Sequence, residues 1–510
     1  FTTPECASSA RGLDGVERLD RRPRLIQLQK QYARDLLTHV NPYTGERLVD
    51  EPAIVLIDLI NESSIFMLSE LLEAIPPSYL DELQLLWGEY LAGHGVVKSE
   101  VNPEGYLDQE DPLTQQFYAS LQLRYFDELS DYLRGLGLKV PIAGSNLSRP
   151  ALPIADLLTN AGLDFIDRHA YWDHPQGGFG DFLSFHNRSM IKTVTATNPI
   201  VQLSSQRVAG MPFVVSEWNI AWPNEHRAVG PLLMAAYASF QGWDGLIQFD
   251  FGGDWLPDRI EGNFDVSTKP ELLLQVPVAA RLFHRQDVAP ASARFAYSFE
   301  RKVPPPATLL YGIERTAEDD NPADPEDMDA PWVTETGELG WDAEQGVVLI
   351  ETPNTQAAIG QVGGRSVTLR DVTFSVTTPF ACLTATSLDD QPLVSSGHLL
   401  LTAVARSENT GTVYNATRTL LRDSGVSPIL MEPVIGVADF PLRERGVPRV
   451  FALDAGGYRV GEVTVRISDD SVHVPLGEAH VYEIDFENGV DESPREASVG
   501  RNNVGTDERP

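Results

Sequence analysis

Short apolar runs alternate with longer stretches of helical period from the start of the chain to about residue 285, and this alternation constrains the fold most. It is typical of βα units that build a parallel sheet. The runs are almost continuously apolar, as expected for strands buried on both faces. They predict strands at residues 54–60, 140–145, 164–169, 212–217 and 244–250. The stretches between them predict helices at residues 24–39, 78–92, 113–135, 152–160, 196–207, 228–241 and 270–284.

The rest of the chain follows a different pattern. Runs rich in Val and Thr recur at short spacing with Gly, Asn and Asp turns between them, which predicts an antiparallel β-sandwich. These runs lie at residues 347–351, 357–362, 366–376, 398–406, 411–419, 449–454, 458–467 and 472–484. The sequence therefore predicts a fold of class α/β plus all-β, with a barrel-type domain over residues 1–285, a β-sandwich over 286–487 and a polar, disordered tail over 488–510.

Two polar segments interrupt this pattern. Residues 98–112 predict an inserted loop, and the acidic, Pro-rich segment 318–329 predicts a solvated loop. The alternative for the acidic segment is a calcium-binding loop, because clustered carboxylates suit a hard cation.

The charge balance limits the partners. The chain has 73 acidic and 39 basic side chains, a net charge of -34, so nucleic acid and anionic membranes would be repelled. No apolar run approaches the roughly 20 residues of a membrane-spanning helix. Phosphate-loop and dinucleotide fingerprints are absent, and the two cysteines have no metal-type spacing. We therefore predict no cofactor, no metal, and an extracellular or periplasmic enzyme acting on a neutral substrate; the oligomeric state stays open.

Two carboxylates stand where predicted parallel strands end. Glu62 follows the run IVLIDLIN, and Glu217 follows PFVVS. In a closed βα barrel the C-terminal ends of the strands form the active face, so these side chains are expected to converge. A third strand end adds His169 and Tyr171, which are suited to orienting a carboxylate and changing its proton affinity. Paired carboxylates at such a face indicate glycoside hydrolysis.

Tryptophan residues cluster around the same strands. Indole rings offer flat apolar platforms with a polar edge, which suits the faces of sugars. Trp243 is predicted to pack in the core, because it precedes its strand. The residues predicted to bind substrate are Trp172, Trp218, Trp222 and Trp255.

The order of these motifs resembles the clan A glycoside hydrolases, and in particular the cellulase-like families whose fourth barrel strand ends in an Asn-Glu pair. The resemblance rests on QKQYARDLLTHVNPYTG and DEPAIVLIDLINESS between Arg24 and Phe66, then on DRHAYW, PFVVSEWN and GWDGLIQFDF. It covers about residues 20–285. These segments would be the fourth, sixth, seventh and eighth strands of a (β/α)8 TIM barrel.

The resemblance implies a retaining mechanism with Glu62 as acid/base and Glu217 as nucleophile. Asn61 would hold the sugar 2-hydroxyl, Tyr171 would hydrogen-bond the nucleophile and His169 would lie beside the pair. Glu62 must then start protonated and Glu217 ionised, so their environments must differ. Retention further predicts carboxyl groups about 5 to 5.5 Å apart.

The position of Glu62 in the chain creates a conflict with a complete barrel. If Glu62 ends the fourth strand, three βα units should precede it, and these need about 90 residues at about 250 for eight units. Only 53 residues precede the run that begins at Ile54. We therefore expect a partial barrel of strands 4 to 8, with an exposed apolar edge on its first strand and with poor solubility or activity by itself.

A protein of a different class fits the same residues. The barrel could be inactive and the chain a carbohydrate-binding or adhesion protein. The presence of both Glu62 and Glu217 favours the enzyme. Trp332 and Trp341 at the start of the predicted sandwich could bind glycans, although core packing is the simpler interpretation.

Overall fold

The computed structural model describes residues 23–96, 102, 104–150, 152–177, 182–252, 258–317, 323–325, 328–442, 447–468 and 470–486. Trp255, the predicted tail from residue 488, most of the acidic segment 318–329 and part of the predicted loop 98–112 lie outside these residues. Within them, no helix is both long enough and apolar enough to span a membrane.

Helices and strands alternate in the first part of the chain. The helices are α1 (Pro23–Leu37), α2 (Leu68–Leu71), α3 (Pro77–Gly93), α4 (Pro112–Gly135), α5 (Ile154–Asn160), α6 (Pro199–Ser204), α7 (Gly230–Gln241), α8 (Pro270–Leu273), α9 (Val276–His284) and α10 (Pro305–Leu310). The strands among them are β1 (Ile57–Ile60), β2 (Ile142–Ser145), β3 (Ile166–Trp172), β4 (Leu183–Ser184), β5 (Phe213–Ile220), β6 (Gly245–Gln248), β7 (Arg294–Ser298) and β8 (Gly312–Thr316). Each of the five strands predicted before residue 285 is therefore present.

After α10 and β8, the regular elements of the described residues are all strands. They are β9 (Trp332–Val333), β10 (Leu339–Asp342), β11 (Val347–Glu351), β12 (Thr355–Gly360), β13 (Arg365–Thr368), β14 (Thr373–Val376), β15 (Ala381–Ser387), β16 (His398–Val404), β17 (Ser407–Thr410), β18 (Val413–Tyr414), β19 (Leu420–Asp423), β20 (Val426–Met431), β21 (Gly436–Pro441), β22 (Arg449–Leu453), β23 (Arg459–Glu462), β24 (Arg466–Ser468), β25 (Ser471–Leu476) and β26 (Val481–Asp485).

The first five long strands are parallel and lie in series. β1 pairs with β2, and β5 pairs with β3 on one side and β6 on the other. Two backbone hydrogen bonds join β2 to β3: Asp164 N–H donates to Ile142 O at 3.0 Å and His169 N–H to Asn146 O at 2.8 Å. The C-terminal ends of all these strands therefore lie at the same edge.

Two antiparallel sheets make up most of the later region. One has nine strands in the order β23-β22-β26-β16-β15-β12-β11-β10-β9, and the other has five in the order β13-β14-β21-β25-β24. Alternate side chains from both sheets, among them Leu383, Tyr482, Phe374 and Val474, share one hydrophobic cluster. The two sheets therefore face each other across a common core.

The nine-stranded sheet is also buried on its other face. Trp341 of β10 packs edge-on against Tyr237 of α7, with ring centroids 5.5 Å apart, and its indole N–H donates to Ile191 O at 2.8 Å. Every residue of α7 is buried, as expected for a helix that is apolar all round. Gly230, the first residue of α7, lies close to the side chains of Trp218 and Ile220 of β5. One helix thus joins the parallel and the antiparallel regions.

The structure differs from the predicted pattern between residues 286 and 316. The alternation of strand and helix was expected to end at residue 285, yet β7 and β8 pair in parallel with α10 between them. α10 has only six residues, which is too short to show a helical period in the sequence. The run predicted at residues 366–376 is divided, because β13 and β14 form a hairpin there. Only Val413–Tyr414 of the run predicted at 411–419 form a strand, β18.

An extension of the antiparallel region reaches the loops of the parallel region. β19 pairs with β4, which lies in the loop after β3. Ile429 N–H donates to Asp258 O at 3.0 Å, and Asn409 Oδ1 accepts the N–H of Ile260 at 2.7 Å. Strands of the antiparallel region therefore support the loops that follow the parallel strands.

Candidate active site

Glu62 lies two residues beyond the end of β1, where the chain leaves the parallel sheet. Its φ is 43°, a left-handed conformation that is uncommon for a residue with a side chain and persists only where neighbours hold it. The side-chain oxygen of Asn146, directly after β2, accepts the backbone N–H of Glu62 at 2.7 Å. The adjacent strand end therefore helps to fix the backbone from which the Glu62 carboxylate projects.

Glu217 lies in β5, opposite His169 of β3 in the parallel register. Successive side chains of a regular strand point to opposite faces, yet Ser216 and Glu217 both reach His169: Ser216 Oγ lies 2.9 Å from Nε2 and Glu217 Oε2 lies 3.3 Å from Nδ1. The register of β5 shifts here against both of its neighbours. This irregularity re-aims the two side chains.

His169 connects the two glutamates. Its Nδ1 lies 3.0 Å from Glu62 Oε1 and 3.3 Å from Glu217 Oε2. The tautomer with its proton on Nδ1 donates to a carboxylate there, while Nε2 accepts from the Ser216 hydroxyl. One oxygen of each glutamate and a nitrogen of His169 all lie within 4.8 Å of one another. The structure thus brings together side chains 155 positions apart in the sequence (217 - 62 = 155).

The two carboxylates differ in their surroundings. The side chain of Glu62 is 39% exposed and that of Glu217 is 23% exposed. Tyr171, the next side chain on the same face of β3 as His169, donates its hydroxyl proton to Glu217 Oε2. The environments of the two glutamates are therefore unequal, as a division of labour between acid and nucleophile requires.

Burial raises the pKa of Glu217 above its ordinary value, and the charge of Glu62 acts in the same direction. His169 and the hydroxyl of Tyr171 lower the pKa of Glu217, but they do not outweigh burial. The pKa of Tyr171 is raised, first by burial and then by Glu217, so this phenol keeps its proton and remains a donor. A nucleophile must be ionised, and the net shift in the Glu217 pKa runs against the predicted role. The two donors limit that shift.

Asn61 lies directly before Glu62 and is exposed. Its backbone oxygen accepts the hydroxyl of Ser63 at 3.0 Å. The Asn61 amide is therefore exposed to solvent at this edge of the sheet. That it binds the sugar 2-hydroxyl stays a prediction.

Three of the four tryptophans predicted to bind substrate are buried. The exposed fractions of Trp172, Trp218 and Trp222 are 5%, 4% and 0%, so these indoles pack in the core and present no face to a ligand. Trp172 of β3 and Trp218 of β5 belong to the main hydrophobic cluster, and Trp222 packs in a smaller cluster with Leu183 and Phe185. Trp243 is buried, as expected for a packing residue. Trp255 lies outside the described residues.

Other aromatic rings surround the site instead. Phe264 packs on Tyr171 with ring centroids 4.9 Å apart and on His174 at 5.2 Å. Phe249, directly after β6, lies 6.2 Å from Phe264 and is partly exposed. The sequence gives only a weak signal for these rings, because Phe249 follows an apolar run and reads as core, while Phe264 stands alone between Asn263 and Asp265.

Sequence reasoning also missed four polar residues that hold the glutamates: Asp58, Asn146, Asp167 and Ser216. A signal existed for two of them, since Asp58 and Asp167 are charged residues inside otherwise apolar strands. Such residues are rarely buried without a specific partner.

Two carboxylates and an imidazole are also ligands for cations. Among the described residues, Glu62, His169 and Glu217 are the group whose ligand atoms lie close enough together to hold a metal ion. The hydrogen bonds of His169 to Glu62 and Ser216 already account for the positions of these atoms. That no metal is required therefore stays a prediction.

Comparisons with known proteins place the chain only loosely. No family model and no curated protein matches it. Among solved structures, it is similar to an endo-beta-1,4-mannanase from Thermotoga petrophila, with 13% identity and a TM-score of 0.34 over 77% of this chain and 70% of that one. A monomeric beta-xylosidase from Caulobacter crescentus CB15 matches with 11% identity and a TM-score of 0.25, over 80% of this chain and 74% of that one.

A family 51 alpha-L-arabinofuranosidase from Bifidobacterium longum, AbfB, matches with 11% identity and a TM-score of 0.23, over 74% of this chain and 65% of that one. TM-scores and identities this low support no conclusion about the activity of this chain. Its function therefore has to be inferred from the geometry of the site.

Proposed function

We propose that the protein is a glycoside hydrolase that cleaves O-glycosidic bonds in an oligosaccharide or polysaccharide with retention at the anomeric carbon. The observation that carries this proposal is the convergence of Glu62 and Glu217, whose nearest oxygens lie within 4.8 Å of each other. Retaining enzymes keep their carboxyl groups about 5 to 5.5 Å apart, whereas inverting enzymes need about 6.5 to 9.5 Å to admit a water.

In the first step Glu217 attacks the anomeric carbon while Glu62 donates its proton to the departing glycosidic oxygen. The carbon–oxygen bond of the substrate breaks as the bond to Glu217 forms. In the second step Glu62 takes a proton from water, and the resulting hydroxide displaces Glu217 and releases the sugar. The greater exposure of Glu62 suits the group that must meet both the leaving group and water.

Neighbouring side chains would support these roles. Tyr171 and His169 both lower the pKa of Glu217, which favours the ionised form that attacks. Asn61, exposed beside Glu62, would hold the sugar 2-hydroxyl. Phe249 and Phe264, rather than the buried tryptophans, would give the sugar an apolar face.

The same proposal covers the fold. The five parallel strands β1, β2, β3, β5 and β6 would be strands 4 to 8 of a (β/α)8 barrel, with their C-terminal ends at the active face. The two antiparallel sheets would be an accessory β-sandwich. An extracellular or periplasmic enzyme with a neutral carbohydrate substrate would be compatible with the excess of 73 acidic over 39 basic side chains.

A mechanism-based inhibitor tests the proposal on the complete natural polypeptide. Activated 2-deoxy-2-fluoro-β-glycosides of glucose, mannose, galactose and xylose should trap a glycosyl adduct, and peptide mass spectrometry should locate it on Glu217. Glu217→Gln should reduce hydrolysis of the matching aryl glycoside by at least about 10³-fold while leaving sugar binding intact. An adduct on another residue, or unchanged hydrolysis by Glu217→Gln, would remove Glu217 from the mechanism.

The Glu62 variant separates the two roles. Glu62→Ala should lose activity on substrates with poor leaving groups, which need a proton donor in the first step. Its hydrolysis of activated aryl glycosides should rise with added azide, which enters where water normally attacks and needs no general base. Sugar binding without hydrolysis in the unmodified protein would instead support the carbohydrate-binding alternative.

A further inference from the structure

Two further carboxyl groups lie beneath the site, inside the parallel sheet. Asp58 belongs to β1 and Asp167 to β3, and Asp167 is only 1% exposed. Asp167 lies close enough to Asp58 to raise the pKa of its carboxyl group. Each also keeps one buried oxygen, Asp58 Oδ1 and Asp167 Oδ2, that finds no donor among the described residues. One proton placed between the two carboxyl groups would leave neither of these buried oxygens without a partner.

The proton resides mainly on Asp58. Burial raises its pKa to about 8, and Asp167 raises it further in the same direction, while Asn146 lowers it. Among the neighbouring charged groups, Arg168 and Glu217 interact with Asp167. Arg168 is committed elsewhere, since its guanidinium lies 3.3 Å from Asp156 Oδ2 and donates to Ser145 O at 2.8 Å.

One arm of this network reaches Glu62. The amide of Asn146 hydrogen-bonds the Asp58 carboxyl, and its Oδ1 accepts the backbone N–H of Glu62 at 2.7 Å. Donation of the Asn146 NH₂ to Asp58 leaves only the oxygen to face Glu62. Asp58 therefore sets the orientation of the amide that holds Glu62 at its positive φ of 43°.

The other arm reaches Glu217 and His169. Asp167 Oδ1 accepts the backbone N–H of Ser216 at 2.9 Å, at the register irregularity that turns Ser216 and Glu217 toward His169. Ser216 Oγ then lies 2.9 Å from His169 Nε2. Each member of the acid pair thus supports one of the glutamate-bearing strand ends.

We propose that Asp58 and Asp167 share one proton and act as a positioning pair that holds Glu62 and Glu217 at their working separation. This inference rests on the proposed function for its kinetic consequence, but the shared proton can be observed without any activity. Neither aspartate touches the substrate.

Infrared spectroscopy tests the proton. At pH 7 the protein should show the C=O stretch of a buried protonated carboxyl group, and Asp58→Asn should remove it. Glu217→Gln is the matched control, because the Glu217 pKa is also raised, and the band assigned to the pair should remain in that variant. Absence of the band from the unmodified protein, or its survival in Asp58→Asn, would overturn the shared proton.

Kinetics on the aryl glycoside that the protein hydrolyses best tests the positioning. Asp58→Leu removes the hydrogen bonds at similar volume and should lower kcat about 100-fold, the cost of misplacing a catalytic group by about 1 Å, with KM changed less than about 3-fold. Asp58→Asn can donate to Asp167 without an extra proton and should stay within about 5-fold of the unmodified protein.

The two variants separate a positioning role from a merely structural one. A KM that rises as much as kcat falls, or an Asp58→Asn variant as impaired as Asp58→Leu, would overturn the positioning role. If Asp58→Leu does not fold, Asp58→Asn and the infrared band still decide the case. If no glycoside is hydrolysed, the proposed function fails while the infrared result stands by itself.

Discussion

The parallel and antiparallel regions treat their acidic side chains in opposite ways. Next to the parallel strands, burial raises the pKa of Asp58 to about 8 and also raises the pKa values of Glu217 and Asp250. In the antiparallel sheets, Arg459 and His398 overcome burial and lower the pKa of Glu483 to about 2. Asp389 and Glu335 likewise have lowered pKa values, because hydroxyl and backbone N–H groups donate to them; Glu338 is an exception, raised by burial.

Raised and lowered pKa values have opposite effects on the stability of the folded state. A carboxylate with a lowered pKa is paired in the folded state and stabilises it at neutral pH. A carboxyl with a raised pKa costs stability at neutral pH, and such groups cluster where proton transfer is required. Burial also disfavours the charged form of Lys269, beside the parallel strands, and lowers its pKa to about 7. Its ammonium group lies 2.7 Å from Asp265 O. The raised pKa values of Asp58, Glu217 and Asp250 therefore cost the parallel region stability at neutral pH.

Among the substitutions that test the difference between the two regions, we expect the largest effect, on kcat/KM, at Tyr171. Tyr171→Phe removes the hydroxyl that donates to Glu217, a hydrogen bond to a charged group worth about 1.5 to 3 kcal/mol, so kcat/KM should fall about 10- to 100-fold. Because that hydroxyl lowers the Glu217 pKa, the acid limb of the pH–activity profile should move to higher pH. An unshifted acid limb would show that Glu217 does not govern it.

The next effect concerns Asp58 and the pH dependence of stability. Its pKa of about 8 in the folded state exceeds the value of about 3.9 in an unfolded chain. The native state therefore holds a proton that the unfolded state releases. The bound proton makes its full contribution to the free energy of unfolding below about pH 4. That contribution falls by up to about 1.4 kcal/mol per pH unit until the pH passes about 8.

Asp58→Asn should remove that dependence. Urea unfolding of both proteins between pH 5 and 8 measures it, and the variant should show the shallower decline of unfolding free energy with pH. Parallel curves for the two proteins would contradict a raised Asp58 pKa.

The smallest effect, with the opposite sign, is expected at Glu483 of β26. Its carboxylate accepts from Arg459 Nε at 2.5 Å and pairs with His398. The lowered pKa of about 2 gives stability above the unfolded-state pKa that disappears as pH falls through about 2. Glu483→Gln should therefore lower the unfolding free energy by about 1 kcal/mol at pH 7, after allowance for solvent screening, and leave activity unchanged.

Glu462 of β23 is the matched control, because it pairs with Arg449 at 3.0 Å on the open surface of the same sheet. Glu462→Gln should not measurably change stability. A loss of activity in either variant would break the separation between the two regions.

Much of the parallel region could be predicted, because its strands are apolar on both faces and its helices show a clear period. The five strands and the position of Glu62 just beyond β1 follow from that pattern alone, whereas β5 continues past Glu217 to Ile220. The pair β7 and β8 could not be predicted, since a six-residue helix has no period to detect. The burial of Trp172, Trp218 and Trp222 was also missed, because an indole near a strand end fits a core and a sugar platform equally well.

The sequence by itself determined which chemical groups stand at which strand ends, since hydrophobic periodicity depends only on neighbouring residues. Only the tertiary structure decided how those groups meet. The backbone of Glu62 depends on Asn146, 84 positions away, and the orientation of Ser216 and Glu217 depends on a register irregularity against β3 and β6. Long-range hydrogen bonds of this kind leave no local pattern, because each donor and its acceptor lie on different strands.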